Sequence, residues 1–133
     1  MARSSALMLT ALTASCLGAS ALAPASAQEG IKRTALGSSD FPPGYQTVKG
    51  YADIAKGTCA GRHTHPGLET SFVLEQELII KIDGQPDHLY KAGEGFQIPP
   101  GVVHDACATA NNAVRVLTVH IVEKGKPLGS PAP

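Results

Sequence analysis

Apolar and polar residues alternate with a period of two along most of this chain. The clearest run is Leu78–Asp83, where Leu78, Ile80 and Ile82 alternate with Ile79, Lys81 and Asp83, just before an Asp83-Gly84 hairpin signal. Short β-type runs of the same kind cover 45–54, 58–65, 69–74, 88–91, 96–98, 102–109 and 114–122. They are separated by turn residues such as Pro66-Gly67, Gly93-Glu94-Gly95 and Asn111-Asn112. No window after residue 27 sustains an apolar period of 3.6, so helices are not expected there. Eight or so short antiparallel strands predict an all-β domain. By pattern alone it is either a double-sheet jelly roll or an immunoglobulin-like sandwich.

The ends of the chain read differently. Residues 1–27 begin with Met1-Ala2-Arg3, continue through an Ala, Leu, Ser and Thr stretch, and close on the small-residue site Ala25-Ser26-Ala27. That is the pattern of a secretory signal peptide, so export to the periplasm or medium is expected, with cleavage near Ala27. The stretch is too short and too rich in Ser and Thr for a membrane span. Thr13-Ala14-Ser15-Cys16 only loosely resembles a lipid-attachment box. Residues 28–44 read as a lead-in strand and loop, 45–123 as the strand domain, and 124–133, with three prolines and two glycines, as a flexible tail.

Two stretches carry the chemistry. Gly57 to Glu69 offers His63, His65 and Glu69 within seven residues, and Gly93 to His104 offers one histidine after a Pro99-Pro100-Gly101 turn. Residues i and i+2 of a strand share a face about 7 Å apart, so His63 and His65 can converge on one ion. Pro66-Gly67 then breaks the strand and lets Glu69 approach from the next one. Three imidazoles and a carboxylate suit one divalent first-row metal: Mn, Fe, Co, Ni, Cu or Zn. Singly, each of these residues has a bland reading, as a loop histidine or a surface carboxylate. Together in this order they point to metal.

Both stretches resemble the two motifs of the cupin superfamily. Gly57, His63, His65 and Glu69 fall into the first motif, whose closing glycine is Gln76 here. Gly93, Pro99, Gly101 and His104 fall into the second, whose closing asparagine is Ala108. The resemblance covers about residues 57–108 and implies a jelly-roll (double-stranded β-helix) barrel, with His63, His65, Glu69 and His104 as metal ligands. Neither departure removes a ligand. Gln76 implies a turn whose conformation tolerates a side chain, and Ala108 removes an amide near a strand end. In that barrel the strands bearing His63 and His104 are antiparallel neighbours, which brings Cys59 close to Cys107. The index sums of the two pairs differ by one, so a bridge needs a bulge between them. A disulfide and two free buried thiols both remain open, with the exported compartment favouring the bridge.

The other candidates are weaker. His88 follows a polar Pro86-Asp87 turn and is expected at the surface. His120, sharing a face with Val116 and Thr118, reads as structural rather than as a ligand. Strand alternation turns Arg62 and Asp105 away from the metal, and Val73, Leu78, Ile80, Phe96 and Ile98 are expected to wall the pocket. Balanced charge, with 11 basic and 11 acidic residues, argues against nucleic acid or, after signal cleavage, a membrane as partner. A small organic molecule fits an apolar pocket better. An open coordination position would serve a dioxygenase, decarboxylase or isomerase, all of which the family includes, and a non-catalytic binding or sensing module is the alternative. If Glu69 faces inward, Phe72 and Leu74 face out, and a homodimer through that sheet is expected unless Ile31 and Leu36 fold back to cover it.

Overall fold

The computed structural model describes residues 28–133; the signal-peptide segment, its cleavage site at Ala27 and Cys16 lie outside the described residues. Among the described residues the strands are β1 (Ile31–Ser39), β2 (Tyr45–Ile54), β3 (His63–Thr64), β4 (Leu68–Glu75) and β5 (Glu77–Ile82). They continue as β6 (His88–Lys91), β7 (Gly95–Ile98), β8 (His104–Ala108), β9 (Val114–Glu123) and β10 (Ser130–Pro131). Two five-stranded antiparallel sheets, β1-β2-β9-β4-β7 and β10-β3-β8-β5-β6, face each other as the jelly roll that the strand pattern and motifs predict.

Period-two alternation places the core. On β4, Glu69, Ser71 and Val73 are buried, and Phe72 and Leu74 point outward. On β9, Val114, Val116, His120 and Val122 point in. Register then sorts the interior by height. Val73 pairs with Val116, and two residues along Ser71 pairs with Thr118; two further on, Glu69 pairs with His120. One end of the barrel is therefore filled by Ile54, Val73, Leu78, Ile80, Val114 and Val116, and the other by ionisable groups. Val73, Leu78, Ile80, Phe96 and Ile98, expected as pocket walls, are sealed inside this core.

Three local departures from expectation have physical reasons. Gln76, in the tight turn from β4 to β5, sits at φ 64°, a left-handed conformation that glycine adopts most readily. The glutamine accepts the strain of that backbone, at roughly 1–2 kcal/mol. The segment 124–133, expected as a flexible tail, carries β10, which pairs with β3 at Ser130↔Thr64 and Pro131↔His63. Main-chain hydrogen bonds rather than apolar burial hold it there, which is why composition does not reveal it. β1 lies at the sheet edge against β2 and does not cover β4, so Phe72 and Leu74 stay 47% and 42% exposed.

Cys59 and Cys107 form a bridge, with Cα atoms 4.0 Å apart, at an isolated antiparallel pairing. His63 pairs with His104 in the adjacent ladder. The one-residue offset between these pairs is absorbed across Ala60–Arg62, where Gly61 takes a φ of 82° that other residues rarely adopt.

Candidate metal centre

Both sheets contribute to the ionisable end of the barrel. The β3–β8 pairing sets His63 beside His104, and the β4–β9 pairing sets Glu69 beside His120. His65 lies just past β3, where the Pro99-Pro100-Gly101 turn packs on its backbone through a Gly101 N–H donated to the His65 carbonyl at 2.8 Å. His65, Glu69, His104 and His120 are buried, and His63 is half-buried. Donor atoms of His63, His65 and His104 lie within 4.8 Å of one another, as do those of His65, Glu69 and His120.

Hydrogen bonds orient the rings. Nδ1 of His63 faces the Gly61 carbonyl at 2.7 Å, Nδ1 of His104 the Val102 carbonyl at 3.0 Å, and Nδ1 of His65 the Leu128 carbonyl at 2.6 Å. A carbonyl oxygen only accepts, so each Nδ1 carries the proton and each neutral ring turns a bare Nε2 inward. The Nε2 atoms of His65, His104 and His120 stand 3.1, 3.3 and 3.8 Å from one oxygen of Glu69, Oε2. Its other oxygen, Oε1, accepts from Ser71 Oγ at 2.7 Å. Lone pairs facing a carboxylate in a buried space repel unless positive charge lies between them. A proton or a metal ion supplies that charge. The donor set of imidazole nitrogens and carboxylate oxygen fits a first-row divalent ion, and the Nδ1 acceptors are the outer support that metal-binding histidines ordinarily have.

With protons alone, the groups share charge unequally. Burial by itself would raise the Glu69 carboxyl; the hydrogen bonds with His104 and His65, the nearby His120 and the Ser71 hydroxyl outweigh it and hold the carboxyl well below the usual range. Burial also disfavours charge on His104, but the hydrogen bonds to Glu69 and Val102 win and raise it. Desolvation lowers His63, assisted by the neighbouring imidazoles. It pushes His120 down to about 4 against the pull of Glu69.

The structure thus brings together all four residues that the motifs single out, and adds His120, which the sequence reading set aside as structural. Its inward parity was visible in sequence; its register against Glu69 was not. Ser71 could have been found as the inward neighbour of Glu69 two residues along the strand. His88 is exposed and stacks on Tyr90. Arg62 pairs with Asp83 at 2.7 Å. Asp105 makes no hydrogen bond through Oδ1 and does not join the cluster of imidazoles. A shallow cavity of about 530 Å³, lined in part by Ile31, Asp53, Glu75 and Arg115, opens at the far end of the barrel, away from the histidines.

The cupin domain family profile matches residues 50–120, more than half of the chain. Over 65 residues the chain is 37% identical to the HTH-type transcriptional regulator PuuR of Escherichia coli (strain K12). That match covers 48% of this chain and 35% of the regulator, so the chain spans about a third of that relative's length. Among solved structures, a cupin superfamily protein from Desulfitobacterium hafniense DCB-2 superposes with a TM-score of 0.61 at 15% identity, covering 75% of this chain and 84% of that one. The DMSP lyase DddQ from Ruegeria pomeroyi DSS-3 gives 0.65 at 16% identity, covering 77% and 51%. A recombinant oxalate oxidase in complex with glycolate gives 0.62 at 23%, covering 80% and 57%. At these identities the structural likeness speaks for the fold. With the profile match, the two antiparallel sheets and both motifs in order, the chain belongs to the cupin superfamily.

Proposed function

We propose that this cupin holds one divalent transition metal through His63, His65, Glu69 and His104, and uses it in a metal-assisted reaction on a small organic molecule. One observation carries the reading: three imidazoles whose Nδ1–H groups are committed to backbone carbonyls turn bare nitrogens toward the space around a buried carboxylate. When bound, the ion would supply Lewis-acid polarisation of a substrate or water oxygen at a coordination position left open by the protein. The chain's own residues supply the rest. Ser71 holds Glu69 in place, the three carbonyls fix the ring tautomers, and His104 with Glu69 can keep a proton at the inner face. That DMSP lyase DddQ and oxalate oxidase share the fold supports an enzyme. The likeness to PuuR supports the alternative, a non-catalytic ligand- or metal-sensing cupin. Metal analysis of protein from its native compartment, then turnover assays with that metal on oxidisable, decarboxylatable and isomerisable small molecules, separates them. Tight saturable ligand binding with no turnover across the panel would sink the enzyme reading.

The same proposal includes export and a homodimer. Export rests on the pattern of residues 1–27 and on the Cys59–Cys107 bridge. N-terminal sequencing of the native protein should begin at Gln28, and a retained Met1 counts against it. The dimer rests on the outer face of β4, where Phe72 lies beside Leu117 of β9 and, among the described residues, stays 47% exposed. Light scattering at micromolar concentration should give twice the mass of one processed chain.

A further inference from the structure

The three ligand histidines are braced in two different ways. His63 and His104 each donate Nδ1–H to the carbonyl two residues upstream, Gly61 and Val102, so their orientation is local to their own strands. His65 takes its acceptor from Leu128, 63 residues away. The next residue, Gly129, lies against the same ring: a Cβ there would sit 3.1 Å from Nδ1 and 3.2 Å from Cε1 of His65. Ser130 and Pro131 then pair with Thr64 and His63, and Ala132 N–H donates to the Arg62 carbonyl at 2.9 Å. The Leu128 side chain is substantially exposed, so little apolar burial anchors the segment. Main-chain hydrogen bonds seat it, and one of them belongs to a ligand.

From this we infer that the C-terminal segment Leu128–Pro131 is a positioning strap of the metal site, which sets the tautomer and tilt of His65 through the Leu128 carbonyl and the bare backbone of Gly129. The inference rests on the metal-site reading and names the element that regulates it. Because the strap bonds the ring that binds the ion, seating of the strap and loading of the metal favour each other by the same factor. Loss of outer support of this kind ordinarily weakens metal binding 10- to 100-fold, so an effect of about tenfold or more is expected here.

The test uses the full processed chain as wild type, Gly129→Ala, Gly129→Val and Leu128→Ala. In metal-free protein, long-range 1H–15N NMR spectra report which ring nitrogen of each histidine carries the proton. Co2+ titration, followed by its visible absorption, reports affinity and ligand geometry. Gly129→Val should change the Nδ1 signal of His65, leave the signals of His63 and His104 as in the wild type, and weaken Co2+ binding about tenfold or more. Gly129→Ala, whose Cβ asks the ring to yield only slightly, should shift both readouts the same way by less, and it decides the matter if the valine variant fails to fold. Leu128→Ala keeps the carbonyl and should change neither. An unchanged His65 Nδ1 signal with wild-type Co2+ affinity in the Gly129 variants overturns the strap, as does an equal loss in Leu128→Ala. A wild type that takes up no Co2+ instead sinks the metal reading, and the NMR result alone then decides for or against the strap.

Discussion

The two ends of this barrel share β4 and β9 and the inward faces of those strands, and they do opposite things with them. At one end, Ile54, Val73, Leu78, Val114 and Val116 meet and exclude water; Leu78 is 0% exposed and Val73 1%. Burial of this kind stabilises at about 25 cal/mol per Å² and needs nothing further. Four to six residues along β4 and β9, Glu69 and His120 are almost as deeply buried, at 6% exposure each, and His104 on β8 joins them at 2%. There the chain gives up apolar contact and must offset the desolvation of polar groups with hydrogen bonds and a shared positive charge. The apolar end is self-sufficient, and the histidine end is complete only with a cation or a proton. Stability and function therefore separate along the barrel axis.

The sharpest way to break that separation is to open the apolar end. Leu78→Ala should cost about 3 kcal/mol in denaturant unfolding, through lost transfer and a cavity, and leave metal affinity within a factor of a few. A large loss of affinity would show that the two ends are one unit. His104→Ala should do the reverse. Metal content by elemental analysis should collapse, and at roughly a hundredfold excess of metal over the wild-type Kd the variant should forgo about 3 kcal/mol of linked stabilisation. After a chelator has stripped the wild type, the gap in melting temperature between the two should narrow. His88→Ala, on the outer surface, should keep full metal content and wild-type melting.

Acid sharpens the comparison further, since among the described residues the buried titratable groups lie at the histidine end. In metal-free protein, His63 and His120 have folded-state values below the ordinary 6.5, so unfolding takes up protons and stability should fall as pH drops from about 6.5 toward 4. His104, raised in the fold, contributes stability that is fully present below 6.5 and is lost only as pH rises through its folded value, so it leaves this acid window almost unchanged. Glu69, held low, adds stability above the ordinary carboxylate range that fades only below it, as pH falls toward its folded value. The two lowered histidines predict a net loss of stability as pH falls from 6.5 to 4, read by urea unfolding. Saturating metal should steepen it, because protons displace the ion from every ligand. A stability that rises on acidification through this window would mean that the imidazoles are not held neutral by burial. The smallest effect belongs to neither end. Gln76→Gly, in the β4–β5 turn, should stabilise the protein by about 0.5 kcal/mol, as relief of the left-handed backbone outweighs the extra freedom of the unfolded chain. Metal affinity should not move.

Much of this was legible in the residues. Alternation through Leu78–Asp83 and Val114–Val122 is enough to specify strands and their buried faces, because the side-chain period of a strand is two. The His63, His65 and Glu69 spacing marked a candidate ligand set through strand parity, and the resemblance to the two cupin motifs added His104 from a distant strand. What sequence could not supply was register between distant strands. Whether His120 meets Glu69 or lies two residues above it depends on how β9 slides against β4, and nothing local sets that. Gln76 hid its left-handed backbone because a long side chain is unusual there. The strap escaped notice for the same kind of reason: Leu128–Pro131 is held by main-chain groups, which every residue carries and no composition betrays. Side-chain pattern determined the elements and the candidate ligand set. Only the tertiary fold, through backbone hydrogen bonds and register, decided which histidine joins the cluster and which carbonyl holds His65.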